Sequence, residues 1–251
     1  MMFTKAWIVV FLCGSSLYTT DAIGSWNTPS ISGSGTGTAS TPININEDLA
    51  VGPTGTTVEA VATSGTIASY ELLTTGSPFS VTSPGGILNL DSALDYETTT
   101  SYTLEIKAAD TDANTGIATF TIAVGDVNEA PTFTATSFTA CVADASTAGQ
   151  SVTTLTATDQ DAGDTIAYSV NSGDTNNHFI FSGAELRVSS GTTLDMSTTA
   201  SYTLVIHATD DDSSPLIGSA TLTVTVGDCN SATALAVSIM MTLMALVVSL
   251  Y

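Results

Sequence analysis

The chain has 251 residues, only 11% of them charged, and its 3 Lys and Arg stand against 24 Asp and Glu for a formal net charge of -21. So few cations cannot neutralise a phosphate backbone, which excludes a nucleic-acid binder. With 43% hydrophobic residues and a mean hydropathy of +0.32, the acidity does not mark disorder, and an ordinary apolar core must carry one large domain or two of about 100 residues.

Met1 to Lys5 is short and basic, Ala6 to Tyr18 is apolar, and Thr20-Asp21-Ala22 offers small residues for cleavage, so residues 1–22 read as a secretory signal peptide. Cys13 and Trp7 leave with it. Residues 23–40 are rich in Ser, Gly and Thr without a core pattern and read as a flexible spacer. Gly33-Ser34-Gly35-Thr36-Gly37 within it is not read as a nucleotide-binding loop, since no strand is expected before it and no helix after it.

From Thr41 onward the chain repeats itself. Leu94-Asp95 returns as Leu194-Asp195, Ser101-Tyr102-Thr103-Leu104 as Ser201-Tyr202-Thr203-Leu204, Asp110 as Asp210 and Phe79 as Phe179, each 100 residues on. Tyr70 pairs with Tyr168, and Gly125-Asp126 with Gly227-Asp228. Two copies of one module follow, residues 41–130 and 131–228. Within them apolar residues alternate, as in Tyr102, Leu104, Ile106 and Ala108 or Phe120, Ile122 and Val124, and no stretch carries a 3.6-residue stripe. Short Val-, Ile-, Thr- and aromatic-rich runs broken by Gly, Ser, Asp and Asn predict an all-β fold of two tandem seven-stranded antiparallel sandwiches. In the second the strands centre on Val142, Thr154, Tyr168, Phe179, Leu186, Leu204 and Val224.

At the other end Ala234 to Tyr251 carries no charge and has no Lys or Arg behind it. With small residues at Cys229-Asn230-Ser231-Ala232, residues 229–251 resemble a glycosylphosphatidylinositol (GPI) attachment signal. The alternatives are a membrane span without a cytoplasmic tail and a buried strand. Either membrane attachment puts the protein on the outer face of the plasma membrane. Without both ends, 23 acids face only Lys107 and Arg187, so the carboxylates must be solvated, dispersed or bound to cations.

The acids cluster at recurrent places: Glu47, Asp95-Tyr96-Glu97, the linker Asp126-Val127-Asn128-Glu129-Ala130-Pro131, Asp159-Gln160-Asp161-Ala162-Gly163, and Asp210. Asp159-x-Asp161-x-Gly163 and Asp110-x-Asp112-x-Asn114 do not make helix-loop-helix calcium loops, because Val170 and Thr121 stand where that loop needs glutamate. These segments, with Ala108-Ala109-Asp110 and the run Phe138 to Asp144 with Gly149 downstream, are similar to a pair of cadherin repeats over about 190 of 251 residues.

That resemblance implies calcium ligands from three places: Glu47, Asp95 and Glu97 at the base of the first repeat, Asp126, Asn128 and Glu129 in the linker, and Asp159, Asp161 and Asp210 at the top of the second. All nine carry oxygen, which suits Ca²⁺, a hard cation taking 6 to 8 oxygen ligands. The corresponding places elsewhere are degraded. Thr63-Ser64 replaces an acidic pair in the first repeat, while in the second Ser197 replaces a glutamate although Asp144, Asp195 and Asp228 persist. The linker is a residue shorter than the longest family form, and Glu129 stands for an aspartate.

Opening and closing strands of such sandwiches run side by side, so the resemblance also implies a Cys141–Cys229 disulfide, with two free buried thiols as the alternative. Trp26 resembles the tryptophan that adhesive cadherins exchange, but the spacer behind it argues against exchange. His178 and His207 lack a nucleophile and an orienting acid, so no enzyme is expected. The expected function is calcium-dependent adhesion or recognition, with calcium ions and another cell-surface protein, a second copy included, as partners and no nucleic acid. A non-adhesive acidic coat or matrix component is the alternative.

Overall fold

The computed structural model describes residues 23–32 and 34–229, and the chain divides into two compact units, Met1–Val127 and Asn128–Tyr251. The signal-peptide reading of residues 1–22 lies outside the described residues, as does the anchor reading from Asn230 onward. Among the described residues there is no helix.

The first unit carries β1 (Ile23–Thr28), β2 (Gly37–Thr38), β3 (Ile43–Asn46), β4 (Gly52–Thr57), β5 (Glu59–Ala62), β6 (Ile67–Leu72), β7 (Phe79–Val81), β8 (Ile87–Leu90), β9 (Ser101–Asp110) and β10 (Thr115–Gly125). One sheet runs β2-β10-β9-β6 with β3 also on β10, a second runs β4-β8-β7, and β1 pairs with β5. The second unit carries β11 (Thr132–Phe133), β12 (Ser137–Val142), β13 (Ser151–Thr154), β14 (Ala157–Thr158), β15 (Ala167–Ser172), β16 (Phe179–Ser182), β17 (Glu185–Val188), β18 (Ser201–Thr209) and β19 (Ile217–Val226). Its sheets run β12-β19-β18-β15 and β13-β17-β16, with β11 on β14. All seven strand centres expected in the second repeat fall within strands, and β11 and β14 add two short ones.

The 100-residue repeat of sequence is a repeat of packing. In the first unit Leu104 faces Phe120 and Ile106 faces Ala118 across the β9–β10 ladder. In the second Leu204 faces Leu222 and Ile206 faces Ala220 across β18–β19. Alternation buries these side chains because successive residues of a strand point to opposite faces. Phe79 meets Tyr102 edge-on at 5.5 Å between ring centroids, and Phe179 meets Tyr202 edge-on at 4.9 Å. Each pair ties the two sheets of its own unit. The Tyr70 and Tyr168 hydroxyls each accept a backbone amide at 2.9 Å, from Ala60 and Ala157 respectively.

The spacer reading of residues 23–40 needs correction. Ile23–Thr28 is a strand paired with β5, and Ile23, Trp26 and Ile31 belong to the first unit's core. Trp26 is 2% exposed, and its indole N–H donates to the Gly35 carbonyl at 2.9 Å. Bulges between Ile23 and Ser25 and between Trp26 and Thr28 break the two-residue period, which hides the strand from a pattern search. The glycines that suggested flexibility answer to close packing: a methyl on Gly35 would strike the Ile23 carbonyl, and one on Gly116 the Gly35 carbonyl. A strand thus does precede the glycine run, and β2, not a helix, begins at its last glycine, Gly37.

In both units a parallel pairing brings an opening strand to the end of the closing one. β3 lies on β10 with Asn46 opposite Gly125, and β12 lies on β19 with Val142 opposite Val226. Cys141, opposite Thr225, is disulfide-bonded to Cys229 with their Cα atoms 5.4 Å apart.

Candidate functional site

Three strand ends of the first unit gather its acids. The β3–β10 pairing continues as the Glu47 amide donates to the Gly125 carbonyl at 3.1 Å, which sets Glu47 beside Asp126. The turn that precedes β9, closed by the Thr99 amide on the Asp95 carbonyl at 2.9 Å, delivers Glu97. Glu47, Glu97 and Asp126 each offer an oxygen within 4.8 Å of the others. Glu47 is 7% exposed; its carboxylate accepts the Tyr96 amide at 2.6 Å and the Val127 amide at 2.9 Å. These two bonds fix a buried charge that would otherwise be costly. Asp95 does not join this trio: its Oδ1 accepts the Thr98 amide at 2.9 Å and caps the turn.

The second unit gathers its acids at the opposite end of its sequence order, around β11, β14 and the β18–β19 loop. The pairing of Thr132 with Thr158 holds the linker residues near Asp159. The Glu129 amide donates to Asp161 Oδ2 at 2.8 Å. Asn128 donates from Nδ2 to Asp210 Oδ2 at 3.2 Å and to the Ser214 carbonyl at 3.4 Å. Asp210, 4% exposed, also accepts the Leu216 amide at 2.9 Å. Asp159, Asp161 and Asp164 form a second trio with oxygens within 4.8 Å.

Asp164 escaped the sequence reading, although it lies five residues after Asp159 in the same loop. Burial, with repulsion from Asp161, Asp211, Asp159 and Asp210, pushes its carboxyl above the usual range. Asp159 Oδ2, Asp164 Oδ2 and Asn128 Oδ1 are buried atoms with no hydrogen-bond partner in the described structure. Crowded carboxylates with unpaired buried oxygens are what a hard cation relieves, and the donor set is all oxygen. No described base does so: Lys107 pairs with Glu71 at 3.6 Å and Arg187 with Glu185.

Where the sequence had lost ligands, the remaining acids are satisfied internally. Asp195 accepts from the Ser197 hydroxyl at 2.6 Å, the Ser197 amide at 2.8 Å and the Thr198 hydroxyl at 2.9 Å. These bonds, the Ser197 hydroxyl foremost, hold its carboxyl below the usual range against opposing burial. Among the described residues, Asp144, Asp195 and Asp228 form no three-acid group. In the first unit Asp110 is buried, which raises its carboxyl. Bonds from the Asn114 side chain and from the Asn114 and Asp112 amides outweigh this and leave it below the usual range.

Residues 41–125 and 138–227 match the family model described as the cadherin domain. The chain belongs to the cadherin family. It is 31% identical over 157 residues to human protocadherin Fat 1 and 34% identical over 160 residues to mouse cadherin EGF LAG seven-pass G-type receptor 3, in each case over 61% of this chain. It spans 3 to 5% of the length of these curated relatives. Among solved structures, human protocadherin-24 EC1-2 matches with a TM-score of 0.58 at 25% identity, over 75% of this chain and 95% of that one. Mouse cadherin-23 EC22-24 matches with a TM-score of 0.51 at 29% identity, over 74% of this chain and 63% of that one. Both matches agree with the two tandem cadherin sandwiches described above.

Proposed function

We propose that this cadherin-family chain acts in calcium-dependent adhesion or recognition at the outer cell surface, with Ca²⁺ at the junction of its two repeats making the linker stiff. The observation that carries the reading is the pair of unpaired buried carboxylate oxygens on Asp159 and Asp164 in an acidic loop without a neighbouring base. Glu47, Glu97 and Asp126 from one repeat and Asn128, Glu129, Asp159, Asp161 and Asp210 from the next would hold the ions, Asp95 would reach them only through the oxygen its turn does not use, and Asp164 adds a tenth oxygen donor. Asp126, Asn128 and Glu129 lie within four consecutive residues, so ligands on both sides of the linker tie its backbone to either repeat.

Bound Ca²⁺ would neutralise carboxylates that otherwise repel one another. The protein's own part is to hold those carboxylates in place: Glu47 through two amides, Asp161 through the Glu129 amide, Asp210 through Asn128 and Leu216. Affinities of extracellular calcium modules are on the order of 10⁻⁴ to 10⁻³ M, which gives filled sites outside the cell and empty ones inside.

Calcium titration of the purified protein by calorimetry, with small-angle scattering on the same samples, tests this reading. Heat of binding with saturable stoichiometry and a longer, stiffer particle supports it; an unchanged melting temperature in calcium and in chelator overturns it. Aggregation of protein-coated beads in calcium but not in chelator separates an adhesin from an acidic coat component. Release from cells by a phosphatidylinositol-specific phospholipase tests the GPI attachment.

A further inference from the structure

The covalent path through the second unit avoids most of its fold. Cys141 is the next-to-last residue of β12, Cys229 lies three residues past the end of β19, and their bond has a sequence separation of 88. β12 and β19 are parallel neighbours with Cys141 opposite Thr225, so both cysteines sit at the same end of that strand pair. The first unit has no cysteine from Ile23 to Val127.

We propose that this disulfide is a mechanical shunt. Tension entering the second unit at Asn128 runs along β11 and β12 to Cys141, crosses the sulfur bridge to Cys229 and leaves toward residue 230. Residues 142–228 form a covalently closed loop and carry none of it. A loop closed by a covalent bond cannot be drawn out by pulling on the two segments that leave it, whatever happens to its hydrogen bonds. The tension path from Asn128 to Cys141 is short and contains β11 and most of β12, already extended, so at about 3.6 Å per residue it has little length to give. Without the bridge, the same pull shears β12 from β19 and draws out the whole sandwich. Among the described residues the first unit has no such bridge, and it is the extensible element. One repeat is built to yield and the other is not, and this holds whether or not calcium binds.

The test stretches residues 23–229 in optical tweezers between handles fused at Ile23 and Cys229, with and without dithiothreitol. Unreduced, the chain gives one long release of about 300 Å, from the first unit, at about 3.6 Å per residue. Reductant adds a second of similar size from the 88-residue separation between the cysteines. A Cys141→Ser/Cys229→Ser variant gives the reduced result in both conditions. Full-extension length counts the residues in the tension path whether or not the second unit folds. The variant is therefore about 300 Å longer at full extension than the unreduced parent even if it fails to fold. Two long releases from the unreduced chain, or equal full-extension lengths for parent and variant, would overturn the proposal.

Discussion

Glu47 and Asp144 occupy the same place in their two units. Glu47 accepts the Tyr96 amide at 2.6 Å and Asp144 accepts the Met196 amide at 2.8 Å, each bond running from the residue after the Leu-Asp pair to the acid that follows the opening strand. What differs is the company. Glu47 stands with Glu97 and Asp126, whereas Asp144 stands near Asp195, whose oxygens Ser197 and Thr198 already occupy. The same backbone frame thus holds one acid set that leaves room for a cation and one that has closed on itself.

Glu47→Ala should destabilise the first unit by about 1 to 3 kcal/mol even without calcium, because two amides lose a buried acceptor. Glu47→Gln keeps an acceptor oxygen for only one of the two amides, which bond different carboxylate oxygens, and sets an NH2 donor against the other, so it should recover only part of that stability while still weakening calcium binding. Chemical denaturation in chelator, followed by calorimetry in calcium, checks both halves. An Ala variant as stable as the parent in chelator would show that the amide bonds contribute nothing.

The acid response of the metal-free second unit should have two opposed arms. Asp195, Asp211, Asp212 and Glu185 are held below their ordinary values, chiefly by hydrogen bonds from Ser197, Thr165, Ser214 and Ser151 respectively. Their contribution to stability is present above the ordinary carboxylate range and is lost as pH falls through their folded values, below about pH 4. Asp164 runs the other way. Its folded value is raised, so the native state holds that proton more tightly than the unfolded chain does, and stability falls as pH rises through it. Asp164→Asn should remove only this second arm and raise the stability of the metal-free form at neutral pH. Denaturant midpoints in chelator from pH 3 to pH 7 measure it; a neutral or destabilising effect at pH 7 contradicts the assigned repulsion.

The sandwich was legible because its two faces differ: Leu104, Ile106, Phe120 and Ile122 alternate with Ser, Thr and charged residues, and the same alternation returns a hundred residues later. β1 was not, because its two bulges place Ile23 and Trp26 out of step and its packing partners are glycines, which sequence reading takes for slack. The acidic positions were legible as a family pattern, but composition does not tell which oxygens a turn consumes. Asp95 caps its own turn, while Asp164, outside the expected motif, has an oxygen buried and unpaired. Spacing shows which carboxylates converge, and only the hydrogen-bond arrangement shows which of them still lack a partner.

Trp26→Ala should cost the first unit about 3 to 5 kcal/mol, as removal of a fully buried large side chain does. Trp26 is the single tryptophan behind residue 22. Its fluorescence should therefore be that of a buried indole in the native protein and should report the unfolding of the first unit alone. A solvent-exposed emission maximum in native conditions would return residues 23–40 to the status of a spacer.

Asp161→Ala and Glu97→Ala should each abolish most of the stabilisation that calcium confers. At ten to a hundred times the dissociation constant that stabilisation amounts to about 1 to 3 kcal/mol per ion. Glu97 and Asp161 belong to different units, so each variant should leave the metal-free melting temperature of the other unit close to the parent's while flattening the calcium dependence. Scanning calorimetry at a series of calcium concentrations is the check, and retention of the parent's calcium dependence in both variants would remove these two side chains from the binding set.

Reduction of Cys141–Cys229 should lower the stability of the second unit by about 2 to 5 kcal/mol, the range for a bridge whose opening frees a long loop in the unfolded chain. No cysteine lies between Ile23 and Val127, so the first unit's transition, read through Trp26, should stay where it was. Thermal unfolding with and without reductant therefore needs two probes: Trp26 fluorescence for the first unit and far-ultraviolet circular dichroism for both. A shift of the Trp26 transition comparable to that of the second unit would mean that the two units do not unfold independently. It would also show that the bridge stabilises more than the sandwich it closes.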